Sequence, residues 1–238
     1  MIRVSLICQL IIASITGVYK TRHLISVDEK TGIQALFRKE APMKKGRGKR
    51  QEYEYKRNGT TTLIAAQDVS SGKMIHTHLG PTRKEYDFLK FCQQVVTLFP
   101  KEDEILFLAD QLNIHKSASL VQWIANEIGF KEDLGIKEKK GILKSMESRM
   151  AFLEKEEHKI RFVFTPKHCS WLNPIENWFG KLQRHVITGG IFSSVKELEN
   201  KIRDYIKYYN RCMLKPLKWK FQGFTKGKVL ETCIMVET

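Results

Sequence analysis

Residues Ile160 to Glu176 constrain the fold more than any other stretch, because they read as a strand, a forced break and a helix start in close succession. Apolar residues feed in from Ile160 to Phe164, Pro166 ends the run, and Asn173-Pro174 supplies an N-cap followed by a proline at the first helical position. Glu176 is thereby fixed to the first turn of a helix. Asn-Pro-Ile-Glu is also a capping-box pattern, in which the glutamate only bonds back to the N-cap backbone. The segment alone leaves both uses of the carboxylate open.

Two more carboxylates end apolar runs upstream. Glu104 to Ile114 reads as a short strand closing at Asp110, followed by polar, loop-like residues and His115. Leu24 to Phe37 is apolar up to the pair Asp28-Glu29 and becomes apolar again from Ile33. Between them Thr60 to Val69 and Lys73 to Leu79 fit strands joined by the turn Ser70-Ser71-Gly72, and Thr82 to Phe99 fits a helix. An aspartate at a strand end is ordinarily a turn former. Taken alone, each of these aspartates can be read that way.

The stretch from Thr165 through Val186, with Trp178, Phe179, Gly180, Leu182 and Gln183 after the glutamate, resembles the third acidic motif of mariner-like DDE transposases of the bacterial insertion-sequence branch. The runs ending at Asp110 and Asp28 resemble the second and first motifs. The likeness extends from about Leu24 to Phe224, and includes Lys215-Pro216-Leu217-Lys218-Trp219. It implies an α/β, ribonuclease H-like fold, a mixed sheet flanked by helices. It also implies that Asp28, Asp110 and Glu176 are catalytic and hold metal. Glu29 rivals Asp28, since neighbours on a strand face opposite ways and only one can face the site; the family pattern favours Asp28.

Three carboxylates make a hard, oxygen-rich site suited to Mg2+ or Mn2+ rather than zinc. A pair of ions roughly 3.5–4 Å apart would activate a water or a DNA 3′-hydroxyl and stabilise the departing oxygen. The implied function is metal-dependent DNA strand cleavage and strand transfer at transposon ends. The alternative is a truncated, inactive relic that only binds DNA. A basic exported protein is a third reading, supported by the N-terminal apolar run alone.

The formal charge is +15, and the excess is confined to two stretches. Residues 38–57 hold nine Lys/Arg against three acids, and residues 181–228 hold twelve against three. Such patches suit the phosphate backbone of transposon-end and target DNA. In the first, Lys44, Lys45, Arg47, Lys49 and Arg50 read as a loop that contacts DNA, or as a solvated charge run or a mimic of a nuclear localisation signal. In the second, Lys181 and Arg184 are DNA-binding candidates, whereas the aromatics of the helix Val195 to Tyr209 read as core. Lys167 and His168 would touch phosphate or an active-site water, with a solvated surface role the alternative. His115 would orient the loop after Asp110 or be merely structural.

The expected organisation is an N-terminal remnant over 1–23, a catalytic domain over 24–212 with a charged helical insertion at about 131–159, and a C-terminal tail over 213–238. Five cysteines without paired spacing argue against a disulfide framework and a structural zinc site. Two departures from the family stand out. Gln111 follows Asp110 where asparagine is usual, and only 27 residues precede Asp28, too few for the helix-turn-helix region that recognises transposon ends. End recognition would then come from a separate helix-turn-helix polypeptide, and the resemblance further suggests a homodimer. Val4 to Val18 carries no charge and resembles a signal-peptide core, but Gln9 interrupts it and the cleavage site is poor. It is also short for a membrane span. A buried or frayed remnant in a bacterial cytoplasmic, nucleoid-associated protein with no membrane partner is the favoured expectation.

Overall fold

The computed structural model describes residues 2–38 and 55–223. Its centre is a five-stranded mixed sheet of order β3-β2-β1-β4-β5, built from β1 (Arg22–Phe37), β2 (Lys56–Asp68), β3 (Met74–Gly80), β4 (Glu104–Ala109) and β5 (Ile160–Phe164). The first three form an antiparallel meander, and β1, β4 and β5 run parallel. Parallel strands need crossovers and covered faces. Both β4 and β5 are accordingly buried along nearly their whole length.

On one face, α2 (Glu85–Val96), α3 (Ala118–Glu127) and α4 (Met146–Leu153) pack on Ile25, Val27, Phe107 and Phe162. On the other lie α1 (Ile2–Ile15), α5 (Ile175–Leu182) and α6 (Val195–Tyr208). There α1 buries Val4, Ile7, Cys8 and Ile11 with Leu24, Leu106 and Leu108. The α5 and α6 helices bury Trp178, Phe179, Ile202 and Tyr205 with Ile33, Ala35, Leu63 and Ala65. Tyr205 of α6 and Tyr209 just after it are core, as the helical spacing suggests, whereas Tyr208 is exposed.

β1 serves both halves of this second face through a change of phase. The pairs Lys30↔Leu63 and Ile33↔Thr61 advance three residues on β1 against two on β2, a bulge. The extra residue turns the alternation over. Before the bulge, even-numbered residues such as Leu24 and Asp28 share the face that odd-numbered Ile33 and Ala35 occupy after it.

The charged stretch 131–159 is only partly helical. The α4 helix is its one helix, and before it the chain folds into a tight turn closed by the Ile136↔Lys140 bridge. Gly135 (φ +85°) and Gly141 (φ +72°) permit it, since a Cβ on Gly135 would stand 2.1 Å from the Lys140 carbonyl oxygen. Lys and Glu favour helices, but they do not override this left-handed backbone.

Candidate active site

The parallel ladder fixes the level of the first two acids. Its last pair is Ser26↔Leu108, and continuing that register sets Asp28 beside Asp110, at the point where β4 stops. Thr165 extends the edge by donating its N–H to Ala109 O at 2.9 Å, and the Gln111 side-chain amide donates to Thr165 O at 2.9 Å. Gln111 thus fastens the loop after Asp110 to the end of β5.

The third acid arrives through a tie between α5 and β1. Asn173 has extended dihedrals (φ −90°, ψ 108°) and Pro174 helical ones (φ −57°, ψ −29°), so the chain turns into the helix where the sequence places the turn. The Asn173 side chain does not cap that helix. It is buried, accepting from Ser26 Oγ at 2.5 Å and donating to Val27 O at 3.0 Å and Asp28 Oδ2 at 3.4 Å. The cap comes instead from Ser26, whose Oγ accepts the Ile175 N–H at 3.0 Å. Glu176 makes no capping box, and its side chain is exposed, with its charge acting on the Asp28 carboxyl. Sequence reasoning missed Ser26. The available signal was its position two residues before Asp28, hence on the same face.

Asp28 is 8% exposed. Burial pushes its pKa up from 3.8 to about 7; the Glu29 N–H opposes this at 2.8 Å, while the charges of Glu29, Asp110 and Glu176 add to it. Asp110 is shaped by the opposite balance. Burial raises its pKa, but hydrogen bonding to His115, the His115 charge, the Leu112 N–H and Arg83 together hold it below the usual carboxylate range.

Glu29 is engaged on the other face. His115, fully buried against Phe88, donates Nε2–H to Glu29 Oε1 at 2.8 Å and Nδ1–H to the Asp110 backbone O at 3.1 Å, with Nδ1 also 2.8 Å from Asp110 Oδ1. Burial alone would lower the imidazole pKa, yet the two carboxylates raise it to about 10. The ring is therefore an imidazolium clamped between two carboxylates, with Arg83 Nη1 3.7 Å from Glu29 Oε2. The pair Asp28-Glu29 divides as strand alternation requires: Asp28 neighbours Asp110 and Glu176, and Glu29 reaches Asp110 through His115.

The other candidates scatter. Lys167 and His168 are exposed on the loop after β5, His168 at φ 61°. Lys181 Nζ lies 5.4 Å from the Tyr209 ring centroid, a cation–π contact, and Arg184 is exposed. Lys44, Lys45, Arg47, Lys49 and Arg50 lie outside the described residues. Among those residues, no group of three His, Cys, Asp or Glu side chains is gathered closely enough to hold a metal ion, and no helix is long and apolar enough to cross a membrane. The donors nevertheless suit a hard divalent cation. They are all carboxylate oxygens, and the proton that burial favours on Asp28, with a smaller push from the charges of Glu29, Asp110 and Glu176, is one that a bound cation would displace.

Two family models match the chain: DDE superfamily endonuclease over residues 23–199 and integrase core domain over residues 176–225. No curated protein matches it. Among solved structures, it resembles the Mos1 strand transfer complex and the Mos1 mariner paired end complex with Mn, each at 14% identity and TM-score 0.52. Both alignments cover 88% of this chain and 56% of the other. The Mos1 transposase catalytic domain with Raltegravir and Mn matches at 11% identity and TM-score 0.50, over 88% of this chain and 84% of that one. The chain thus spans little more than half the length of the first two, and the likeness is one of fold.

Proposed function

Since the chain belongs to the DDE superfamily endonucleases, we propose that it is a transposase catalytic domain that cuts and joins DNA strands at transposon ends, with Asp28, Asp110 and Glu176 as its catalytic carboxylates. One observation supports this reading: the β1–β4 register sets Asp28 level with Asp110, and the Ser26–Asn173 tie anchors the start of α5, which carries Glu176, to the same strand. A stable structural site would separate or pair such charges. Similar proteins solved with Mn and with a transposon end support divalent metal and DNA as partners.

Asp28, Asp110 and Glu176 would hold the metal, Mg2+ or Mn2+ as a pair of ions, which would supply charge neutralisation at phosphorus and a more acidic attacking hydroxyl. The chain's own contributions are positional. Ser26 and Asn173 hold the start of α5 against β1, and His115 and Gln111 orient the loop that carries Asp110. Residues 24–212 form the proposed catalytic unit. A homodimer and a separate end-recognition polypeptide complete the proposal by family resemblance.

The test is purified protein with Mn2+ and a preprocessed transposon-end duplex. Wild type releases or joins strands, and Glu176→Gln abolishes both while retaining salt-sensitive DNA binding. Equal turnover by the two proteins would remove Glu176 from the catalytic set. Equal inactivity, with DNA binding intact in both, would favour a binding-only relic.

A further inference from the structure

Lys116 closes the 3-10 turn Asn113–Lys116 that follows Asp110. It is 9% exposed, and among the described residues its ammonium has no hydrogen bond or ion pair. The groups facing it come from three elements: Lys167 on the loop after β5, Arg149 and Glu147 on α4, and Asp110 itself. Burial lowers its pKa, and Lys167 and Arg149 lower it further, against the two carboxylates. Arg149 is 4% exposed and fixed in place, with Nη1 donating to Leu143 O at 3.4 Å, Nη2 lying 3.1 Å from Met146 Sδ, and Nε unpaired.

A lysine often buries its stem and leaves its head in water. Lys116 follows that pattern: its ammonium reaches solvent on the turn after Asp110, with Lys167 and Arg149 among the charges that act on it and, among the described residues, no anion in an ion pair with it. A cation that reaches water at that place suits a phosphate brought from outside the chain. We propose that Lys116, backed by Arg149 and flanked by Lys167, grips a DNA-strand phosphate beside the one presented to Asp110. The site rests on the reading of Asp110 as part of a DNA-cleaving centre. It also gives a role to the stretch between the second and third acidic motifs, because α4 carries Arg149 against the turn that ends in Lys116.

The experiment uses the full chain and a preprocessed end duplex without divalent metal. Lys116→Met keeps the stem and removes the charge, and Lys116→Gln serves as a second neutral variant. Both should unfold no earlier than wild type. Their affinity for the duplex should fall by about tenfold or less, and the slope of log affinity against log salt should be shallower by about one. A duplex with a single methylphosphonate moved along the strand should weaken wild type at one or two positions near the cut, and the variants not at all there. Lys116→Arg should recover the slope.

An unchanged slope in both neutral variants, or equal methylphosphonate losses in wild type and variants, would overturn the site. Early unfolding of both would assign Lys116 a structural role and overturn it too. Glu176→Gln separates this from the catalytic reading. Lost turnover in that variant together with wild-type slopes at Lys116 would remove the phosphate grip and leave the carboxylate centre standing.

Discussion

Replacing Asp28 with Asn should stabilise the metal-free protein at neutral pH and abolish its activity. Asp28 is an acid whose folded pKa is raised from 3.8 to about 7. The folded chain therefore holds this proton more tightly than the unfolded chain does. Stability falls as pH rises above 3.8, and the loss is complete once pH passes about 7. The displacement corresponds to about 4 kcal/mol at pH 8. Asn at position 28 can still accept from the Glu29 N–H, but its amide would face the Asn173 amide nitrogen, now 3.4 Å from Asp28 Oδ2. That contact offsets roughly half of the gain, leaving about 2 kcal/mol. The assay is urea unfolding in EDTA at pH 5 to 8 for both proteins. The difference in unfolding free energy should grow with pH in favour of Asp28→Asn, and Mn2+ should stabilise wild type alone. A flat difference across that range, or a variant less stable than wild type at pH 8 without metal, would refute the reasoning.

Two other perturbations probe the supports. His115→Gln leaves buried Glu29 with only the more distant Arg83 as a cationic partner and should cost about 3–5 kcal/mol by urea unfolding. The wild-type contribution should be full below pH 6.5 and fade as pH approaches about 10, since the folded imidazole pKa is raised. Asn173→Ala should cost about 2–3 kcal/mol by removing the acceptor of Ser26 and the donor to Val27. Strand joining should drop with it while the salt dependence of DNA binding stays at the wild-type value.

The order of strands along the chain was legible because each is a short apolar run, and the three candidate acids stand out because each ends or follows such a run, a signal local in sequence. Strand alternation also foretold that Asp28 and Glu29 would face opposite ways. It could not show that Glu29 still reaches Asp110, because that path runs through His115, far away in the chain. The Asn173 side chain misled for a related reason. Asn before Pro is a cap by local rules, but a partner on β1 offers a buried site with better satisfied hydrogen bonds. The tight turn before α4 was hidden by residues with high helix propensity, and only the left-handed glycines mark it. The order of the α1 face was beyond local reading, since its apolar run also fits a signal-peptide core.

The Ser26–Asn173 tie has a consequence for chain length. Because Glu176 is anchored to the strand that carries Asp28, the gap between these acids does not depend on how many residues separate the second and third motifs. That interval can lengthen or shorten, and be rebuilt as helix or turn, without moving the two carboxylates apart. The geometry of the first and third acids thus hangs on a single hydroxyl of β1 and not on the length of the chain between the last two.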